Sequence, residues 1–245
     1  MGTLDYKEFT RRRRPHFNPV DATLFVTFRL AGSIPKSISR EYKAKLNWLQ
    51  DQLRRVERLC VSDSSAELIG WRNKIQLLNR EWFLKTEEIL HRGKTGPTWL
   101  SEPSVASKLA ENLRRLDTEA FSLDAYSIMS NHVHTVFEPL LPAPELLRLC
   151  DCNNELFEID EHIGLSKIMF LLKGRSAREC NLLLGRRGPF WEQESFDRVV
   201  RTGKFDKTIR YVLNNPVKVG LVKNWEDWPW NYCREEIVER FRSTS

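Results

Sequence analysis

Two short stretches of the chain hold reactive or ligating side chains at suggestive intervals. The first runs from Tyr126 to Glu138, YSIMSNHVHTVFE. Ser130 and Asn131 interrupt two runs of strand-like alternation, which predicts a tight hairpin. In an extended strand His132 and His134 point to one face and Val133 to the other. Two imidazoles held side by side can bind a divalent metal or grip a phosphate, although a lone His-x-His is more often a pair of surface residues. The second stretch, Tyr211 to Val222, reads YVLNNPVKVGLV. Tyr211 and Asn215 are four residues apart and so neighbours on one helical face. Pro216 is expected to end that helix and to leave Asn215 at its last position. Taken alone, Tyr211 reads as a core-edge aromatic and Asn215 as a cap.

Together the two stretches define a reaction. A phenol, with a pKa of about 10, is a far better leaving group than an aliphatic alcohol. A phosphotyrosine ester formed by attack on a phosphodiester therefore stays reactive enough for a DNA 3′-hydroxyl to reverse it. The attack calls for a divalent ion to polarise the phosphoryl oxygen. Two histidines and an amide oxygen suit Mg²⁺ or Mn²⁺ for transient Lewis-acid use. Tyr211 would deliver the nucleophile, and Asn215 a third ligand, from one helix.

Periodicity predicts the strands and helices that carry these groups. Thr23 to Leu30 alternates as a strand, with Leu24, Val26, Phe28 and Leu30 on one face and Thr23, Phe25, Thr27 and Arg29 on the other. From about residue 39 to 120 apolar residues recur at helical spacing, broken at Gly93 to Pro97, and predict a helical segment set between this strand and the hairpin. Gly164 to Leu184 predicts a helix starting near Ser166, with Ile168, Leu171, Leu172 and Ala177 inward. Phe190 to Val200 reads as a strand or bent strand pair. Phe205 to Asn215 reads as the last major helix, followed by a short charged end. Residues 146–160 give no clear periodicity.

Composition bounds the class. The 245 residues are 41% hydrophobic and 29% charged, as in soluble globular chains, and no apolar run reaches membrane-spanning length. The N-terminus lacks the apolar core of a secretory signal. Five cysteines at irregular spacing (Cys60, Cys150, Cys152, Cys180, Cys233) read as ordinary thiols in a reducing, cytoplasmic setting. The net charge of +6 is modest, but it is clustered, at Arg11 to Arg14 and around Lys173, Arg175, Arg178, Arg186 and Arg187. Each cluster reads either as a solvated face or as a phosphate-binding surface, with tryptophans available for base stacking. A His-x-His metallohydrolase of small molecules would want a further ligand, and His16, His91 and His162 lie in poor contexts for one.

The combination of Asn131-His132-Val133-His134 with Tyr211 to Val222 resembles the single-tyrosine HUH transposases of bacterial insertion sequences. It is most similar to their REP-associated tyrosine transposase branch. Asp227-Trp228-Pro229-Trp230 fits that branch, and Phe190-Trp191-Glu192-Gln193 through Arg198 resembles the aromatic stretch before its tyrosine helix. The resemblance implies an α+β, ferredoxin-like HUH endonuclease fold over residues 1–245: a central antiparallel sheet flanked by helices. The helical segment of residues 39–120 is much longer than that family's usual connection and reads as a large insertion after the first strand. It implies metal-dependent cleavage and strand transfer of single-stranded, hairpin-containing DNA through a 5′-phosphotyrosine intermediate. Tyr211 then becomes the nucleophile, His132 and His134 the metal ligands, and Asn215 the third ligand. Arg11, Arg12, Arg13, Arg14, Lys173, Arg175 and Arg178 fall where the family binds hairpin DNA. The protein would act as a monomer or homodimer, away from membranes. A domesticated relative that binds structured single strands without cutting them is the alternative.

Overall fold

The computed structural model describes residues 22–59, 66–140 and 164–243. Arg11 to Arg14, Cys60, Cys150, Cys152, His16, His162 and the stretch 146–160 lie outside these residues. Chain order is β1 (Leu24–Arg29), α1 (Lys36–Leu59), α2 (Ala66–Arg92), α3 (Pro103–Leu116), β2 (Phe121–Ile128), β3 (His132–Pro139), α4 (Leu165–Leu183), β4 (Phe196–Val199), α5 (Phe205–Leu213), α6 (Asn215–Lys218), β5 (Asn231–Cys233) and α7 (Glu235–Ser243). The chain divides into two compact units, residues 31–98 and the remainder.

In the larger unit the strands form one sheet in the order β4-β1-β3-β2-β5, and every neighbouring pair is antiparallel. The fold is therefore α+β. The alternation of β1 sets its two faces as its sequence predicts. Leu24, Val26, Phe28 and Leu30 join Val133, Phe137, Phe121, Leu123 and Ile128 in a core closed by Leu109 and Leu113 of α3 and by Ile168 and Leu172 of α4. Phe25 and Thr27 fall on the opposite face, as do His132 and His134, and α5 packs against β2 and β3 there. One residue of β2 breaks the pairing: the register shifts between Leu123 and Ala125, so Asp124 occupies a bulge.

α3 falls within the stretch 39–120, yet it packs on the sheet and against α4. Pro103 opens it, a position that needs no backbone N–H. α4 begins at Leu165, one residue ahead of the expected Ser166, with Ile168 and Leu172 buried and Leu171 and Ala177 packed against the core. Beyond the helix of Tyr211 the chain forms two elements that periodicity did not reveal. β5, only three residues long, adds to β2, and α7 buries Ile237 and Phe241 on a helix that is charged on its other sides. Three residues are too few to show alternation, and two inward residues in nine leave little apolar signal.

The smaller unit is a helical hairpin with its own core. Ile34, Tyr42, Leu46, Leu49, Leu78, Trp82 and Leu90 cluster together, and the Tyr42 and Trp82 rings stack at 4.3 Å. At its base Gly96, with φ +77°, lies against the backbone of Gly32 and Ser33, where any Cβ would collide. His91 sits one helical turn from Glu87, Nε2 to Oε2 3.8 Å. No helix among the described residues is long and apolar enough to cross a membrane.

Candidate functional site

The hairpin turn between β2 and β3 is held by Met129 N–H donating to the His132 carbonyl (2.9 Å) and by Leu30 N–H donating to the Asn131 carbonyl (2.9 Å). β3 then carries His132 opposite Arg29 and His134 opposite Thr27 of β1. Both rings are buried, and their Nε2 atoms approach to 3.1 Å. Each Nδ1 is engaged on the far side of its ring: His132 with Asn131 Oδ1 at 2.6 Å, His134 with Thr27 Oγ1 at 2.8 Å.

These partners decide where the protons sit. An amide oxygen only accepts, so His132 carries its proton on Nδ1 and turns the bare Nε2 toward its neighbour. A hydroxyl donates or accepts, so Thr27 permits both tautomers of His134. With the proton on His134 Nε2 the two rings share a hydrogen bond. With the proton on Nδ1, donated to Thr27, both Nε2 lone pairs converge. Nitrogens bonded to one ion at about 2.0–2.2 Å lie about 3 Å apart when adjacent in the coordination shell. The pair thus fits two sites of a single metal, with its outer hydrogen bonds already in place to fix ring orientation.

Tyr211 reaches the same face from α5. Phe205, Ile209, Val212 and Leu213 recur at helical spacing, and burial of the last three presses α5 onto the sheet and leaves Tyr211 half-buried at its flank. The Tyr211 ring meets His134 edge-on at 5.8 Å and Phe25 edge-on at 5.8 Å, while Phe25 stacks on His134 at 5.7 Å. Lys218 Nζ lies 3.7 Å from the Tyr211 ring centre. The expected His132, His134 and Tyr211 are therefore brought together on one face of the sheet.

Asn215 lies where α5 passes into α6. Its amide nitrogen donates to the carbonyls of Tyr211 (2.8 Å) and Val212 (3.2 Å). Asn214 donates to Arg210 O (2.8 Å), and Asn231 to Leu213 O (2.9 Å). Three asparagine amides thus donate to the four carbonyls that end α5. Pro216 does not terminate the helical path; it sits in the first turn of α6, where its missing N–H has no intrahelical carbonyl to lose. The nitrogen of Asn215 is thus committed to the end of α5.

Of the basic residues expected at a DNA surface, Lys173 donates to the carbonyls of Glu192 (2.9 Å) and Gln193 (3.1 Å), and Arg175 pairs with Glu179 at 3.0 Å. Arg178 is exposed. Arg186 lies 3.6 Å over the Trp99 ring. The Trp-Pro segment ties the C-terminal region to β2: Trp228 Nε1 donates to Ile128 O (3.1 Å), and Ile128 N–H to Trp230 O (3.0 Å). Cys180 and Cys233 are unpaired, and burial pushes both thiols up to about 12, which keeps them protonated and inert. The sequence pattern passed over Thr27, Asn131 as the partner of His132, and Asn231. Thr27 was legible as a residue on the same face of β1 as Phe25, but only the strand register pairs it with His134.

No family model matches this sequence, and neither does any curated relative. Among solved structures the chain is similar to a REP-associated tyrosine transposase bound to a REP hairpin, at 15% identity over 91% of this chain and 82% of that one, with a TM-score of 0.40. At that score the likeness carries no weight for fold or chemistry, which rest on strand order and side-chain geometry.

Proposed function

We propose that this protein is a metal-dependent single-stranded DNA endonuclease and strand transferase, with Tyr211 as nucleophile and His132 and His134 as metal ligands. The observation that carries the reading is the convergence of the two Nε2 atoms at 3.1 Å with the Tyr211 ring packed against one of them. The sheet order supports a ferredoxin-like HUH arrangement: two helices cover one face, and the tyrosine helix covers the other. The hairpin of residues 31–98 is then an insertion in a single catalytic domain.

Tyr211 Oη attacks the phosphorus of a phosphodiester, the P–O3′ bond breaks, and the 5′ phosphate remains on the tyrosine. The phenol releases a proton, and the departing 3′ oxygen takes one up, so attack by a 3′-hydroxyl in the reverse sense rejoins a strand. A Mg²⁺ or Mn²⁺ ion held by His132 and His134, with Asn215 Oδ1 as third ligand, would supply charge stabilisation at the phosphoryl oxygen. Phe25 and His134 hold the tyrosine ring at a fixed angle, which limits the orientations the hydroxyl must search. The substrate class proposed is single-stranded or hairpin-containing DNA, processed by a monomer or homodimer.

The test is a gel assay on 5′- and 3′-labelled hairpin-containing single strands with Mg²⁺ or Mn²⁺. Wild type should form a covalent adduct on the 5′-phosphate side, and Tyr211→Phe should form none while binding DNA equally well. Cleavage that persists in Tyr211→Phe would show that another group is the nucleophile. Binding without cleavage in both proteins would make the chain a DNA-binding protein.

A further inference from the structure

The aromatic pair of Tyr211 and Phe25 has two cationic neighbours. Lys218 Nζ stands over the Tyr211 ring at 3.7 Å. Arg198, the third residue of β4, pairs in register with Phe25 of β1 and sets its guanidinium 4.8 Å from the Phe25 ring centre. Phe25 in turn meets Tyr211 edge-on, so the two cations flank one aromatic pair from different elements. Burial draws the pKa of Arg198 down; the Tyr211 phenol opposes that shift, and Arg201 adds to it. The guanidinium therefore senses both the nucleophile and a second cation, without a carboxylate among its influences.

That arrangement is costly unless an anion joins it. Like charges repel, and a guanidinium held against an aromatic ring keeps its charge while losing part of its hydration. Among the described residues the Arg198 side chain makes no hydrogen bond or ion pair, although acidic partners are common elsewhere, as for Arg175 with Glu179 or Arg240 with Asp206. A planar fork of N–H donors stacked on a ring matches the oxygens of a phosphate, and an ammonium on a flexible stem adds a second contact.

We propose that Arg198 and Lys218 form a phosphate anchor that seats one backbone phosphodiester of a single strand beside Tyr211. The assignment rests on the nuclease reading for the fate of that phosphate, but not for its binding. Each residue would touch the substrate directly, one from β4 and the other from the end of α6. The phosphate is thereby held between two elements fixed to the sheet.

The experiment measures binding of a fluorescein-labelled oligothymidylate to the full chain carrying Tyr211→Phe, without metal, over a range of salt concentrations. Arg198→Gln and Lys218→Met are each added to this parent. Each substitution should reduce the slope of log affinity against log salt by about 0.7, the counterion release of one single-strand phosphate contact. Arg54→Gln, which removes an exposed cation already bonded to Asp51 on α1, should leave the slope unchanged. With Tyr211 restored, adduct formation at saturating strand should fall roughly 10²-fold in Arg198→Gln. Unchanged slopes in both variants overturn the anchor, even if Tyr211 forms an adduct. Reduced slopes in a protein that never forms an adduct keep the anchor and remove the nuclease reading. Melting curves guard against a folding defect; should Arg198→Gln unfold, Arg198→Lys must retain the slope while Lys218→Met loses it.

Discussion

Thr27 is the least conspicuous member of the histidine pair's surroundings and the easiest to remove cleanly. Its hydroxyl lies 2.8 Å from His134 Nδ1, and its residue is 107 positions away in the chain. Valine has the same shape and a higher strand preference, so Thr27→Val should fold. It removes the group that accepts the Nδ1 proton and so favours the His134 tautomer whose Nε2 is occupied. Affinity for Mn²⁺, followed by titration calorimetry, should fall 10- to 100-fold, roughly the effect of losing an outer-shell partner. Unaltered affinity would mean that His134 does not ligate. The contrast with His132 is instructive, because its partner Asn131 is its immediate neighbour in the chain. Residue types disclosed the imidazoles and the phenol; the hydroxyl that sets a tautomer appeared only once β1 was paired with β3.

At the scale of elements, α5 is useful only if its C-terminal end stays fixed, and that end depends on side-chain amides. Asn215 has two readings, as cap and as ligand, and one substitution separates them. Asn215→Asp keeps an oxygen for a metal but replaces a donor with a carboxylate facing the carbonyls of Tyr211 and Val212. Because the residue is buried, Asn215→Asp should cost more stability than the roughly 1–2 kcal/mol of Asn215→Ala, measured by urea unfolding. An Asp variant as stable as wild type would refute the cap. A second element-level device is the bulge in β2. Burial pushes the Asp124 carboxyl up to about 6, with Arg234 opposing the shift from 3.7 Å and Glu138 and Asp117 reinforcing it. A raised carboxylate pKa favours the protonated form in the folded state. The contribution of this group to stability is therefore greatest below about 4, declines as pH rises to about 6, and stays lower above it. Asp124→Asn should exceed wild type in urea midpoint at pH 8, by up to roughly 3 kcal/mol, and the gap should close by pH 4. Arg234 keeps its bonds to Leu123 O and Ser122 Oγ in either case. Strands and long helices were readable because period-2 and period-3.6 patterns extend over many residues; a bulge, a three-residue strand and a helix with two inward residues were not.

At the scale of the whole molecule, the question is what the 68-residue hairpin unit contributes to the fold of the sheet unit it interrupts. Two hydrogen bonds answer it. Leu30 N–H donates to Asn131 O at 2.9 Å, and Leu100 N–H donates to Ser130 O at 3.1 Å. The last residue before the hairpin unit and the second one after it are thus bonded to consecutive residues of the β2–β3 turn, so the two cut ends lie close together within the sheet unit. The sheet unit has its own core from β1, β2, β3, α3 and α4, and the hairpin has another built on Tyr42, Leu46, Leu49, Leu78 and Trp82. Loop-closure entropy depends only weakly on length, so exchanging the insertion for a short linker changes it little. Replacing residues 31–98 with a short Gly-Ser linker should therefore leave a folded protein. Far-UV circular dichroism should lose the share of signal from α1 and α2 and still show a single cooperative melt. The Cys180 thiol, buried among α3 and α4, should stay unreactive to a thiol reagent until that melt. A truncated chain that melts without cooperativity, or exposes Cys180 at once, would show that the hairpin is part of the fold and not an addition to it.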